Sequence, residues 1–345
     1  MEKATFGRSP YNHQKIKESP LRNFFALIVF VILQILFIPL AIIGAIVVGY
    51  RQLIVSKNLG VSQTAIEIIN GRWTMHIFGL RDDPAAAKLA PVLPNTSTFG
   101  LWLALFPLYV YSRIRGSTRW YPVIVKEGEE GIANLVLNRT GYFDSLIDKA
   151  KTDAEQFVVM GAGFDTRAYN DLKKSGLKIF ELDQATTQQL KRKYLQKAGI
   201  DTAHVTFVKI DFSQDSWFSA LVAAGYDPSK RTIFLWEGVT LYLGETAVRK
   251  TLRTIKANAA KGSVIVADIY AESFVTGKYA PGLKATLPIL DTTDEQLGFG
   301  LEMANDYRQS LESFVTSEGL TVGETYFMGY KTEKGTWMVV AELKV

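Results

Sequence analysis

The sequence predicts an α/β sandwich over residues 126–345, preceded by a basic tail (1–23), an apolar membrane segment (24–50) and a helical connector (51–125). Three observations carry this expectation. Residues 24–50 contain no charge and only Gln34 as a strongly polar side chain. After about residue 126, short β-branched or apolar runs alternate with longer charged amphipathic ones, as βαβ units on a parallel sheet do. Near the end, runs at 324–330 and 336–343 flank Thr332-Glu333-Lys334-Gly335, which reads as the turn of a β-hairpin.

Taken in order, the tail carries Lys3, Arg8, Lys15, Lys17 and Arg22. The apolar segment exceeds the roughly 20 residues that cross a bilayer as a helix, and nearly doubles the core of a signal peptide. Pro39, followed by Gly44, predicts either a kinked span or a re-entrant helix pair. In the connector, Arg81-Asp82-Asp83-Pro84 is a helix start, and Pro91, Pro94 and Pro107 punctuate the stretch beyond it. Residues 99–111 are aromatic-rich and precede Arg113, Arg115 and Arg119, which suits an interfacial segment as well as a core helix. Strands are expected at 157–160, 178–182, 205–210, 232–235 and 264–267, with helices at 187–197 and 245–260. Only about five strand–helix units fit, which excludes a parallel barrel.

Composition removes several chemistries. The 345 residues include no cysteine, so disulfides, cysteine-ligated zinc, iron–sulfur clusters and thiol nucleophiles are excluded. Three scattered histidines argue against a metal site. A net charge of +5 is too small and dispersed to predict nucleic acid as a partner.

The first expected strand of the domain runs into Gly161-Ala162-Gly163-Phe164-Asp165-Thr166-Arg167. Glycines at a strand exit let a ligand approach the backbone. At the end of the next strand stands Asp183, twenty residues beyond Gly163, a spacing that suits a carboxylate receiving two ribose hydroxyls. Position 166 is Thr, and Asp165 would place a negative charge beside a pyrophosphate; a cofactor with an amino-acid tail, such as S-adenosylmethionine, tolerates an acid there. Asp211-Phe212 follows the third strand, an acid for the adenine amino group and a ring to stack on it, or else a plain helix cap.

The set Arg139-Thr140-Gly141-Tyr142-Phe143-Asp144, Val159-Met160-Gly161-Ala162-Gly163-Phe164-Asp165-Thr166-Arg167-Ala168-Tyr169, Phe180-Glu181-Leu182-Asp183-Gln184 with Lys191, Asp211-Phe212, and Leu235-Trp236-Glu237-Gly238-Val239-Thr240-Leu241-Tyr242-Leu243 resembles the leucine carboxyl methyltransferase-like family of S-adenosylmethionine-dependent methyltransferases. The resemblance begins near residue 130 and implies a Rossmann-like, seven-stranded class I methyltransferase sandwich. It assigns Arg139 to the cofactor's carboxylate, Gly161 and Gly163 to its methionine part, Asp183 to the ribose, and Asp211 and Phe212 to the adenine. Glu237 then faces the site near the sulfonium. The structural alternatives are an Arg139–Asp144 pair, Arg167 bracing the first loop, and Glu237 capping a helix.

Positioning candidates for catalysis are Glu237, Tyr242 and His76, the last as a lid from the connector; no compelling general base is present, which favours O-methylation of a carboxylate or acidic hydroxyl. Residues 270–307 hold Phe274, Tyr279, Leu283, Leu287, Ile289, Leu290, Phe299 and Leu301, an expected apolar acceptor pocket or ordinary core. Together with the membrane segment they predict a lipophilic acceptor drawn from the bilayer. S-adenosylmethionine is cytoplasmic, so the catalytic domain is expected to face the cytoplasm; the basic tail of a single span would send it outside, which favours a re-entrant or monotopic arrangement. The rival readings are a nicotinamide-dependent oxidoreductase and a non-catalytic membrane-anchored module.

Overall fold

A computed structural model describes residues 19–212, 216–279 and 297–345. The first helix, α1 (Pro20–Tyr50), starts from Ser19, whose hydroxyl accepts the Arg22 N–H (3.4 Å), with Pro20 in the first turn. It does not break at Pro39. Proline's fixed φ is helical and its missing N–H costs a single hydrogen bond, which the long apolar flanks on both sides outweigh. Of the two alternatives that Pro39 left open, the structure therefore shows one continuous helix and not a helix pair. A π-helical turn at Arg51–Val55 leads into α2 (Ser56–Leu59), which Gly60 ends. Residues Pro20–Leu59 form a helical stretch with a mean hydropathy of 3.0 in its most apolar window, long and apolar enough to cross a membrane. In α1 only Ala26 and Gly44 are buried, unlike a core helix.

The connector folds into α3 (Gln63–Ile77), α4 (Pro84–Leu89) and α5 (Thr98–Arg115), followed by α6 (Leu135–Ala150). The predicted start at Asp83-Pro84 is observed, with Asp83 accepting the Ala86 N–H at 2.9 Å. The 99–111 segment lies inside α5, which continues through Pro107.

Seven strands complete the fold: β1 (Gln156–Met160), β2 (Lys178–Asp183), β3 (Val205–Lys209), β4 (Thr232–Trp236), β5 (Val264–Tyr270), β6 (Thr321–Met328) and β7 (Met338–Lys344). Their order is β3-β2-β1-β4-β5-β7-β6, parallel except for β7, which runs antiparallel to both neighbours. Between them lie α7 (Ala185–Lys197), α8 (Trp217–Ala223), α9 (Glu245–Asn258), α10 (Glu272–Val275) and α11 (Tyr307–Ser317). All five predicted parallel strands, both predicted helices and the terminal hairpin are present, with ends shifted by at most three residues.

Strand alternation divides the core into two layers. Phe157, Val159, Ile179, Ile233 and Leu235 face one side; Val158, Met160, Phe180, Leu182 and Phe234 face the other. On the second side α9 packs through Val248, Leu252 and Ile255. On the first side the sheet is covered by α6, and also by Ile66, Ile69 and Trp73 of α3 with Ala85, Ala86 and Leu89 of α4. The hydrophobic core thus begins inside the segment expected to be a connector.

Helix α5 lies between α1 and α3. On one side Phe37 stacks on Phe106 (5.1 Å) and Phe30 meets Tyr111 (5.6 Å); on the other Trp102 meets Trp73 (5.7 Å) and Tyr109 meets Phe78 (5.8 Å). The α1–α5 crossing is close at Gly44 and Gly100: a Cβ on Gly44 would stand 2.5 Å from the Gly100 carbonyl oxygen. Gly44→Leu is expected to unseat α1 and raise hydrogen–deuterium exchange across α5 at least tenfold, a loss of about 1.4 kcal/mol in local stability.

Candidate active site

At β1 the winding of the sheet reverses, with β2 on one side and β4 on the other, and open α/β sheets take ligands at the carboxyl ends of strands there. The exit of β1 is a tight turn. Gly161 has φ of 73°, and a Cβ on it would stand 2.5 Å from Val239 Cγ2, so both conformation and space demand glycine. Gly163 donates its N–H to Asp183 Oδ2 (2.6 Å), and Gln184 donates to Oδ1 (2.7 Å). These bonds clamp the tip of β2 to the glycine turn. Each carboxylate oxygen keeps a further lone pair for a ligand hydroxyl. Asp211 and Phe212 follow β3 on the adjacent strand end, with the Phe212 ring 5.8 Å from Trp217 and 6.5 Å from Trp236.

The backbone beyond the glycine turn separates this site from a dinucleotide site. The chain enters two short 3-10 turns, Arg167–Tyr169 and Asp171–Lys174, so the glycine turn does not itself open into an α-helix whose N-terminus would receive a pyrophosphate. Asp165, expected from the sequence to repel a pyrophosphate, has its charge compensated internally: Arg72 Nη2 and Arg167 Nη1 lie 2.9 Å and 2.5 Å from Asp165 Oδ2. The distinction from a dinucleotide site therefore rests on the helix N-terminus that the turn lacks.

Beside the glycine turn the crevice is a buried cage of charges. Glu237, just beyond β4, receives Arg72 Nη2 (3.0 Å) and Arg167 Nη1 (2.5 Å) on Oε2, and Arg139 Nη2 lies 3.4 Å from Oε1. Arg139 Nη1 donates to the Tyr270 hydroxyl (2.6 Å) and to Asp268 Oδ2 (3.2 Å). Asp144 pairs instead with Arg81 Nε (2.6 Å) and Arg167 Nε (2.7 Å), so the alternative Arg139–Asp144 pair does not form, and Arg167 does brace the first loop. Burial works to raise both Asp165 and Glu237, but the surrounding arginines hold both below the usual carboxylate range. At Asp268 burial outweighs Arg139 and pushes the carboxyl up to about 6. Beneath the glycine turn, Lys191 lies 2.8 Å from Glu181; burial, only partly offset by this lysine, pushes Glu181 up to about 7.

The cage has unmet hydrogen-bonding capacity. Among the described residues, Arg72 Nε and Nη1, Arg139 Nε and Arg167 Nη2 are buried donors without a hydrogen-bond partner, and Glu237 Oε1, beyond its 3.4 Å ion pair with Arg139, is a buried acceptor without a hydrogen bond. Orphaned buried groups of both kinds suit an amino-acid zwitterion, whose carboxylate takes the guanidinium donors while its ammonium reaches the acceptor. The residues present therefore fit the methionine end of S-adenosylmethionine, with Asp183, Asp211 and Phe212 placed for its nucleoside.

Two expectations need correction. His76 is no lid: its Nδ1 accepts the Asp83 N–H (3.0 Å) and fixes the α3–α4 turn. The expected acceptor pocket is core where it is described, because Phe274 stacks on Trp337 (5.5 Å), Tyr279 packs beside the same ring (5.7 Å), and Phe299 meets Phe314 (5.2 Å). Leu301 bridges to Ala271. Leu283, Leu287, Ile289 and Leu290 lie outside the described residues. Tyr242 stays at the crevice and donates to Thr64 Oγ1 (2.9 Å). Sequence reasoning missed Arg72, although a lone cation in the apolar run Ile68-Ile69-Asn70-Gly71-Arg72-Trp73 signals a buried partner. It missed Asp268 and Tyr270 as well, which lie beyond the strand expected at 264–267 but inside the observed β5.

Residues 108–256 match the leucine carboxyl methyltransferase family. A putative S-adenosyl-L-methionine-dependent methyltransferase of Streptomyces avermitilis is 31% identical over 170 residues, 48% of this chain and 59% of the relative. Another, from Mycobacterium avium, is 29% identical over 243 residues, 69% of this chain and 77% of the relative. The chain thus spans about three fifths of the length of curated relatives such as the Streptomyces protein. Among solved structures, magnesium protoporphyrin IX methyltransferase from Synechocystis aligns over 64% of this chain and 90% of its own, with a TM-score of 0.41 and 10% identity. The family and sequence matches support an S-adenosylmethionine-dependent methyltransferase domain with S-adenosylmethionine as its cofactor. In this methyltransferase domain the family match includes Arg139, both turn glycines, Asp183, Asp211, Phe212 and Glu237.

Proposed function

We propose that the protein is a membrane-associated S-adenosylmethionine-dependent methyltransferase that O-methylates a carboxylate or acidic hydroxyl on a lipophilic acceptor. The observation that carries the reading is Asp183 clamped to the glycine turn at the reversal point of the sheet, beside a cage with orphaned donors and an orphaned acceptor. The cofactor supplies a methyl group on a sulfonium, activated for in-line displacement. The chain's share is placement: Asp183 fixes the nucleoside, the arginine cage holds the amino-acid end, and α3 screens the crevice from water, with Ala65 Cβ 3.5 Å from where a Cβ on Gly163 would stand. Among the described residues, Asp165 and Glu237 at these strand ends are held low by arginines, so neither is poised to take a proton, while Asp268, raised to about 6, is engaged by Arg139 and the Gly238 N–H. An acceptor already anionic at neutral pH needs no such base. The exposed apolar α1 supports the lipophilic acceptor and the membrane location, with the catalytic domain on the cytoplasmic side where the cofactor is made.

Calorimetry with S-adenosylmethionine on wild type and Asp183→Ala tests the site. Losing hydrogen bonds to a charged acceptor weakens affinity by about a hundredfold, roughly 2–3 kcal/mol. Equal binding would remove the site assignment. Fluorescence-detected binding of a nicotinamide cofactor in place of S-adenosylmethionine would favour the oxidoreductase. Transfer of labelled methyl to a membrane lipid extract separates the enzyme from a non-catalytic module, and label confined to water-soluble products would sink the lipophilic acceptor.

A further inference from the structure

Helix α1 does not project from the domain; it lies along it. Its contacts with α5 run antiparallel, Phe30 with Tyr111, Phe37 with Phe106 and Gly44 with Gly100, while the opposite side of α5 lies on Trp73 and Phe78 of α3. Residues 30–44 are therefore level with the wall of the α/β domain. A perpendicular span would draw that wall into hydrocarbon, together with the charged groups of α3. The part of α1 ahead of Phe30 is ten residues, about 15 Å of helix, half of the roughly 30 Å core. Facing away from α5, Ile28, Ile32, Ile35, Ile42 and Ile46 are each 42–65% exposed and recur at helical spacing as one stripe.

Charge is placed at both ends of this stripe. Arg51 and Lys57 are exposed at the carboxyl end of α1. Near its amino end stand exposed Arg113 and Arg119 with Trp120, whose ring lies 5.0 Å from that of Phe30. A span concentrates basic residues on one side, whereas basic residues at both ends suit a helix lying in the headgroup plane of an anionic surface. Beyond the carboxyl end of α1 the chain returns to the same domain through α2 and α3.

We propose that α1, carried on α5, is an in-plane docking element for an anionic lipid surface, sunk lengthwise into one leaflet with the amino-terminal tail on the same side as the methyltransferase domain. This deepens the membrane reading above and rests on it. It also removes the orientation conflict, since no segment has to cross. The leaflet is joined to the site by a short path. From α1 the chain passes through Arg51–Val55 and α2 to the start of α3, where Ala65 faces Gly163 and Thr64 receives the Tyr242 hydroxyl. A lipophilic acceptor thus enters sideways from the leaflet, at the α2–α3 turn.

The cysteine-free chain allows a direct test with single-cysteine variants of the full protein, Ser9→Cys, Ile35→Cys and Lys256→Cys, in sealed right-side-out and inside-out membrane vesicles treated with an impermeant maleimide. The expected result is that Ser9→Cys and Lys256→Cys label in the same vesicle orientation, while Ile35→Cys labels only after detergent. Labelling of the two from opposite sides would establish a span and overturn the in-plane inference while leaving membrane association intact. Recovery of the protein in the soluble fraction, with Ile35→Cys freely labelled, would instead remove the membrane reading itself. Binding of purified protein to phosphatidylcholine vesicles should rise roughly tenfold or more when phosphatidylglycerol is included. No change would remove the anionic component.

Discussion

Glu237→Gln should lower the melting temperature by about 10 °C and abolish cofactor binding, the largest single-residue effect expected in this protein. The carboxylate is 8% exposed and faces three guanidinium groups, those of Arg72, Arg139 and Arg167, which are themselves 1–4% exposed. Removing one partner of a buried ion pair typically costs about 3–5 kcal/mol, because the remaining charge is left uncompensated. Glutamine keeps the shape but turns an amide N–H toward cations that can only donate. At about 2–4 °C per kcal/mol for a chain of this scale, the melting point should fall by the stated amount. Arg72→Met added to Glu237→Gln removes one surplus cation, so the double variant should lose less than the sum of the singles, a coupling that thermal unfolding of all four proteins measures. Strict additivity would mean that the cage is not one electrostatic unit.

This cage shows where sequence reasoning worked and where it stopped. The nucleoside half was legible because its elements are local: a glycine turn at a strand exit, an acid at the next exit, an acid and a ring at the third. The sheet was legible for the same reason, since period-two alternation and turn residues mark each strand within its own segment. The cage depends instead on contacts between distant segments. Arg72 and Glu237 are 165 residues apart, and Arg139 and Asp268 are 129 apart, so neither pairing leaves a local signature. Placing Arg72 in a connector also hid the fact that α3 belongs to the core. Pro39 left a single helix and a broken pair equally open, because a proline's local cost does not reveal whether a long apolar context will carry the helix through it. Asp165 was recognised as important for a reason that the structure reverses: it is a buried ion-pair partner and carries no free repulsive charge.

The buried acids also set an unusual pH dependence. Asp268 titrates near 6 and Glu181 near 7 in the folded chain, against ordinary values of 3.8 and 4.5, in both cases because burial outweighs the neighbouring cation. An acid whose folded pKa is raised binds more protons folded than unfolded, so its effect on stability becomes unfavourable as pH rises from the unfolded value through the folded one. Both groups therefore destabilise the free protein between about pH 4.5 and 7. Asp144 acts in the opposite sense: burial works to raise it, but Arg81 and Arg167 hold it at about 2, so its contribution is present above pH 3.8 and lost as pH falls toward 2. Asp165 and Glu237, both lowered, add to that acid limb. Stability should accordingly peak near pH 5 and be lower by roughly 3–5 kcal/mol at pH 7.5, read as melting temperature against pH in the absence of cofactor. Asp268→Asn removes one of the two raised acids and should cut the fall in stability between pH 5 and 7 by about a third. A melting temperature that is level from pH 5 to 7.5 in the wild type would mean that water or a bound cation solvates these carboxyls. A saturating ligand that brings an ammonium to the cage should move the optimum upward, because it favours the ionised carboxylates. The displacement of that optimum by S-adenosylmethionine, and its absence in Asp183→Ala at the same ligand concentration, would link the electrostatics of the cage to occupancy of the nucleoside site.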